Sequence, residues 1–207
     1  MKSFRQFALP LVLLASTLSS PAAIVFDSLA GTHDATQYFK GPGGMLPYAE
    51  LGFVMHLPST SDYQLDSISF SFDATSLVSS PTEFAAFEIG TGTPQGALLM
   101  TFTGPTMPSG IVGTYTPDST FILPADTDVF FRFVVPVSGG VYRMKKTFDV
   151  LPSSDWSFAD LYIGNGTVWT ANTGAPLMQV NATAVPEPGS VSLLGAAALF
   201  VVRRRRA

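Results

Sequence analysis

Apolar and polar side chains alternate along much of the chain, and this pattern predicts short β-strands. In residues 65–73, Ile68, Phe70 and Phe72 alternate with serines. A period of two places the aromatic rings on one face of a strand and the serines on the other. Residues 129–137 are apolar on both faces apart from Arg132, as expected of a central strand that is covered on both sides. Both segments therefore indicate a sheet with a buried interior.

Turn signals separate these segments. Glycine and proline are plentiful, with 18 and 16 copies, and they cluster between the apolar stretches, as at 41–44 and 138–140. About a dozen short strands follow one another at near-regular spacing, with no convincing helix and no internal repeat. We therefore predict an all-β protein with a single β-sandwich domain, jelly-roll-like, at residues 24–183.

The first 23 residues have the three parts of a secretory signal peptide. Lys2 and Arg5 precede an apolar run at 7–14, and small residues follow up to Ala22 and Ala23. We predict that the Sec translocon reads this segment and that signal peptidase removes it. A permanent N-terminal anchor is the alternative, and the shortness of the apolar run disfavours it.

The last two dozen residues combine a proline turn, an apolar run and a basic end. Pro186, Glu187 and Pro188 precede an apolar run at 191–202. The prolines fix φ and bias their neighbours away from helix, so this peptide is expected to be extended. A dozen apolar residues make a helix of roughly 18 Å, which is short for a bilayer core of about 30 Å. We expect a transmembrane helix at 190–202 that crosses with local thinning of the membrane. The stop-transfer signal that keeps the end cytoplasmic is Arg203, Arg204, Arg205 and Arg206.

This order of features resembles the PEP-CTERM sorting signal of Gram-negative-type bacteria, here at residues 184–207. The resemblance implies that an exosortase, an integral-membrane thiol protease-transpeptidase, recognises the motif, cuts near it and discards the helix. It also implies an inner-membrane intermediate, delivery to the cell surface or extracellular matrix, and association with exopolysaccharide. The sorting and processing motif consists of Val185, Pro186, Glu187, Pro188 and Gly189.

The middle of the chain resembles the bacterial choice-of-anchor domains, which are sandwiches carried on alternative surface anchors. The segments that carry this resemblance are 25–29, 37–39, 65–70, 87–90, 93–96 and 123–127. It implies a β-sandwich and no known activity.

Charge and composition exclude several kinds of function. Five basic and fifteen acidic residues lie between positions 24 and 187, so this part has a formal charge of −10 and would repel nucleic acids. The chain has no cysteine, which excludes disulfides, thiol catalysis and cysteine-bound metals. The chain has only two histidines, His33 and His56, and it lacks a Gly-x-Ser-x-Gly or His-Glu-x-x-His motif. We therefore predict no catalytic residue.

Two ligand sites can be formulated from the remaining side chains. Asp126 and Asp128 lie in one turn and can both face a calcium ion, although aspartate is also favoured in solvated turns. Trp156 and Trp169 can stack against sugars if their rings are exposed, although large aromatic rings are more often buried in a sandwich core. Alternate residues of the strand 156–162 are expected on one face.

We therefore expect a non-enzymatic, exported protein of the cell surface or matrix. One alternative is a carbohydrate-binding module that uses an exposed Trp or Tyr ring. A second alternative is a glycoside hydrolase or lyase with paired carboxylates, because fifteen acids allow many pairs and the sequence singles out none.

Overall fold

The computed structural model describes residues 21–40, 50–73, 82–105, 112–135, 141–149, 151 and 155–186. These residues form fourteen β-strands and no helix, which confirms the prediction of an all-β protein. The strands are β1 (Ala23–Asp27), β2 (Ala35–Lys40), β3 (Glu50–His56), β4 (Asp62–Ser71), β5 (Glu83–Glu88), β6 (Leu98–Thr103), β7 (Val112–Pro117), β8 (Ile122–Leu123), β9 (Asp128–Val134), β10 (Val141–Thr147), β11 (Ser157–Gly164), β12 (Trp169–Asn172), β13 (Ala175–Pro176) and β14 (Met178–Val185).

Eleven of these strands form one curled antiparallel sheet. Its order is β1-β14-β4-β7-β6-β5-β9-β3-β11-β12, and β8 pairs with β4 beside this path. We call β1, β14, β4, β7 and β8 the first half of the sheet. The second half consists of β6, β5, β9, β3, β11 and β12. The remaining three described strands form a small sheet in the order β13-β10-β2, which meets the end of β4 where the next residue, Phe72, bridges to Met144.

The two halves of the sheet face each other across an aromatic core, and this arrangement makes the molecule a sandwich. Phe70 of β4 is fully buried and lies edge to face with Phe84 of β5 and Phe133 of β9, at centroid distances of 5.4 and 4.9 Å. Ile68 and Phe72 are buried with it, so the alternation that was expected in β4 is confirmed. Each such ring pair contributes about 0.5–1.5 kcal/mol beyond area burial, which makes Phe70 a main anchor of the core.

Strand β9 lies between β5 and β3 and is buried on both faces, as expected for a central strand. Phe131 and Phe133 belong to the main core, whereas Phe130 belongs to a second, smaller hydrophobic cluster and is equally buried. We call this second cluster the outer cluster; it consists of Val54, Phe87, Phe130, Tyr162 and Trp169, with Ala85 packed against it. The two layers explain why β9 has almost no polar side chain.

Strand β11 contains a bulge, and the alternation of side chains between the two faces is shifted across it. Phe158 pairs with Met55 and Asp160 pairs with Val54, so the register shifts between Phe158 and Asp160. An extra residue in one strand turns the following side chains to the opposite face. Trp156 and Phe158 therefore pack with the main core, whereas Asp160 is exposed. The prediction that alternate residues of this segment share one face is wrong for this reason.

Parts of the predicted organisation lie outside the described residues. These parts are residues 1–20 of the leader and residues 187–207, which include Glu187, the apolar run and the four arginines. Among the residues that the structure does describe, none forms a helix that is long and apolar enough to span a membrane. The signal peptide, the transmembrane helix and the jelly-roll topology stay predictions.

Candidate functional site

The last strand leads into the sorting motif and lies in the interior of the sheet. Strand β14 pairs with β1 on one side and with β4 on the other. Its final residue, Val185, pairs with Asp62 at the start of β4, and Pro186 follows at once. The motif therefore leaves the fold directly from a paired strand, without a spacer.

The chain enters the domain at the same end at which it leaves. Strand β1 begins at Ala23, which pairs with Ala182, three residues before the end of β14. Two turns lie beside this exit: 57–61 precedes β4, and 124–127 joins β8 to β9. We call this end of the domain the tail pole, defined by the two turns and by residues 185–186.

Hydrogen bonds hold the two turns of the tail pole together. Asp62 Oδ1 accepts from the backbone N–H of Ala125 at 2.8 Å. The backbone N–H of Asp126 donates to the carbonyl of Pro58 at 3.1 Å. Asp126 has a φ of 55°, a left-handed conformation that aspartate tolerates better than most residues. Because the turns are bonded to each other, the tail pole is a pre-formed surface.

A groove of about 510 Å³ opens at the tail pole. Its apolar lining consists of Ile89, Leu99, Phe121, Ile122, Leu123, Pro124 and Val129. Ile89 and Ile122 are 44% and 48% exposed, so both offer apolar area to solvent at the groove. Glu88, Asp126, Thr127 and Asp128 complete the lining, which includes no lysine or arginine among the described residues. The groove suits an apolar group with a cationic neighbour. The glycoside-hydrolase alternative also requires carboxylates beside a groove, and it stays a prediction.

His56 lies between the two aspartates that we predicted as calcium ligands. Its Nδ1 is 2.8 Å from Asp128 Oδ1, and its Nε2 is 3.9 Å from Asp126 Oδ1. Within the described ranges, no three His, Cys, Asp or Glu side chains are placed to hold a metal ion together. The fold therefore brings the two aspartates to one imidazole, and the calcium site stays a prediction.

The two tryptophans have different surroundings. Trp156 is 0% exposed, and its ring lies edge to face with Tyr63 at a centroid distance of 5.7 Å. A fully buried ring cannot stack against a sugar, so the stacking prediction is wrong for Trp156; the bulge in β11 is the physical reason. Trp169 is half-buried on the outer cluster, with its ring centroid 4.9 Å from that of Phe130.

Two glycines make room for the ring of Trp169. A Cβ at Gly52 would lie 3.0 Å from Trp169 Cζ3, and a Cβ at Gly164 would lie 2.6 Å from Trp169 Cε3. The indole therefore rests on the backbones of β3 and β11. Tyr162 also packs on this cluster and is half-buried; burial, and then the charge of Asp160, raises the pKa of its phenol. One Trp and one Tyr ring thus stay partly exposed on this face.

A largely buried ion pair borders the outer cluster. Arg132 donates through Nε and Nη2 to the two carboxylate oxygens of Glu50, at 2.8 and 2.7 Å. The two side chains are 22% and 9% exposed, and the guanidinium lies 6.0 Å from the ring centroid of Phe87. The bidentate geometry pairs both charges. Arg132 is thus held within the fold and is not offered to a ligand.

These observations define an all-β domain whose last strand, β14, lies inside the sheet and continues directly into the sorting motif. A comparison with known families finds the PEP-CTERM protein-sorting motif at residues 184–206, and this match confirms the resemblance inferred from the sequence. No curated protein matches the chain. The motif implies an exported, membrane-transiting protein that an exosortase recognises. The match begins at Ala184, so Ala184 and Val185 belong both to the motif and to β14.

The tail-pole groove and the Glu50–Arg132 ion pair were not predicted from the sequence. The groove is built from β5, β6, β8 and β9, whose proximity depends on strand order and not on local pattern. Glu50 and Arg132 are 82 positions apart. The available signal was one arginine in an otherwise apolar strand, which requires a buried partner.

Proposed function

We propose that the folded part is a non-enzymatic β-sandwich domain of the cell surface or extracellular matrix, delivered there by exosortase processing at Pro186-Glu187-Pro188. The observation that carries the proposal is the continuity of β14 with the sorting motif. Cleavage beyond the strand leaves every described strand in the released product. The signal is thus separable from a complete domain.

The surroundings of the two histidines support a non-enzymatic role. A hydrolase triad needs a base that contacts both a nucleophile and an orienting acid. In the described residues, His33 contacts the hydroxyl of Thr36 at 3.2 Å, while His56 contacts Asp126 and Asp128. The hydroxyl contact belongs to His33 and the carboxylate contacts belong to His56, so these contacts do not give one histidine both partners of a triad.

The test of sorting is co-expression with the exosortase of the same bacterium. The wild-type chain should yield a C-terminally shortened product, identified by its mass, in the envelope or medium. A variant with Pro186→Ala, Glu187→Ala and Pro188→Ala should accumulate unshortened in the membrane fraction. Equal processing and equal location of the two chains would overturn the proposal.

A second candidate function is carbohydrate binding on the outer cluster. Trp169 and Tyr162 are both partly exposed, and both rings contact Phe130. Aromatic faces pack against the C–H groups of sugars. Asp160 bonds the Tyr162 hydroxyl at 3.3 Å and adds a hydrogen-bond acceptor for a sugar hydroxyl.

Glycan-array binding distinguishes this candidate. Trp169→Phe keeps a ring over Phe130 and serves as the folded variant, and Val168→Ala, which changes the exposed preceding residue, serves as a control. Binding that is lost in Trp169→Phe and in Tyr162→Ala, but kept in Val168→Ala, would support a stacking site. Equal binding by all four proteins, or none by the wild type, would exclude it.

A further inference from the structure

The connection between the sheet and the membrane segment is short. Val185 is fixed in the sheet by its pairing with Asp62, and the apolar run begins at Val191. An extended chain spans at most about 3.6 Å per residue, so the six steps between positions 185 and 191 cover roughly 20 Å. The headgroup layer takes about 5–8 Å of this distance on each side of the bilayer. The tail pole is thus held close to the membrane surface while the apolar run is in the membrane.

An enzyme that grips the motif must fit into this space. Pro186 to Pro188 lie within the same six steps, so the cleft that receives them is bounded by the tail pole on one side. A single helix with its side chains is already about 10 Å thick. As long as β14 stays fully paired, the walls of such a cleft must lie against the tail pole.

We propose that the tail pole, together with the groove that opens beside its 124–127 turn, is a docking surface for the exosortase that processes this chain. The proposal rests on the proposed function and adds a second contact to the recognition of the motif. The surface is pre-formed by the bonds from Asp62 to Ala125 and from Asp126 to Pro58, so docking requires little ordering.

The groove indicates the chemistry of the partner surface. Ile89 and Ile122 offer exposed apolar area, and the carboxylates of the lining surround it without a described lysine or arginine. The complementary surface is an apolar projection flanked by basic side chains. An integral-membrane enzyme has apolar side chains near its membrane boundary, where the tether places the groove.

Local unpairing at the end of β14 is a competing explanation of how the exosortase reaches the motif. Residues 183–185 pair with β4, whereas the pairing of β1 with β14 begins at Ala182. Peeling these three residues from β4 would lengthen the tether by about 10 Å and remove the need for contact. The two explanations predict opposite effects of a longer tether.

The docking test compares two charge reversals on one strand. Glu88 and Glu83 are both exposed and lie at opposite ends of β5, so Glu88→Lys changes the groove and Glu83→Lys makes the same charge change at the far end. With the exosortase co-expressed, Glu88→Lys should lower the initial rate of processing roughly three- to tenfold, and Glu83→Lys should leave it unchanged. Ile122→Lys should act like Glu88→Lys. Unaltered thermal unfolding midpoints establish that each variant is folded.

A longer tether separates docking from obstruction. Ten Gly and Ser residues inserted between Val185 and Pro186 should lower the rate, because the docked pole no longer holds the motif at high effective concentration. Faster processing of the inserted chain, or equal rates for Glu88→Lys and Glu83→Lys, would overturn the docking proposal. The triple alanine variant of the motif is the separate control. If its processing is blocked while the pole variants behave like wild type, docking fails and sorting stands; if it is processed normally, sorting itself fails.

Discussion

Removing one partner of the Glu50–Arg132 pair should destabilise the domain more than removing both. Arg132→Met leaves a carboxylate that is only 9% exposed without its two charge-assisted hydrogen bonds. An uncompensated buried charge costs about 3–5 kcal/mol. Glu50→Leu leaves the guanidinium, whose 22% exposure allows water to compensate in part, so we expect about 2–3 kcal/mol. The double variant replaces the pair by apolar groups on the edge of the outer cluster, and it should lie within about 1 kcal/mol of wild type.

Equilibrium urea unfolding of the four proteins at pH 7 measures these free energies from the midpoints at constant m. Glu83→Gln, an exposed carboxylate on the neighbouring strand β5, is the control and should change stability by less than about 0.5 kcal/mol. Single variants that each cost less than about 0.5 kcal/mol would show that the pair behaves like an exposed surface bridge, and the reasoning would be refuted. A double variant as unstable as the sum of the singles would contradict it equally.

Substitutions at three further positions test the packing of the core and the ionisation of a buried tyrosine. Phe70→Ala should cost about 3–5 kcal/mol in urea unfolding and Phe70→Leu less than about 1.5 kcal/mol, because the alanine leaves a cavity among rings; similar costs for both would contradict this. Gly52→Ala should cost about 1–3 kcal/mol, because its Cβ would overlap the ring of Phe130; a neutral result would show that the ring moves freely. Burial raises the pKa of Tyr115 above its ordinary value of 10.0, so above pH 10 the folded chain retains a proton that the unfolded chain loses. The contribution of this phenol to the free energy of unfolding is therefore fully present below pH 10 and is lost as the pH rises above it. Tyr115→Phe should reduce this alkaline loss while costing about 1 kcal/mol at pH 7 through the lost bond with Thr82; an unchanged pH profile would contradict the assignment.

The local pattern of apolar and polar residues was sufficient to predict which side chains are buried in strands that have one or two clearly apolar faces. Phe70 in β4 and Phe130 in β9 lie as their spacing predicted, because burial enforces the register of a pleated strand. Trp156 does not, because one extra residue in β11 reverses the faces and no residue type in that segment marks a bulge.

The sorting motif could be read from order and spacing alone, since its recognition depends on a short linear segment. Its position beside a groove could not be read. Val185 and Asp62 are far apart in the sequence, and their pairing depends on strand order across the whole sheet. The same holds for His56, whose aspartate partner Asp128 is 72 positions away.

The interior position of β14 sets the order of events during export. In the described sheet β1 pairs with β14, and Ser28 bonds Met178 across 150 positions. A chain that emerges from its N-terminus therefore carries an incomplete sheet until residues 178–185 have crossed the membrane. The next residues to arrive are the sorting signal itself. Completion of the sheet and presentation of the sorting signal then coincide, so a chain truncated before residues 178–185 has neither a complete sheet nor the signal.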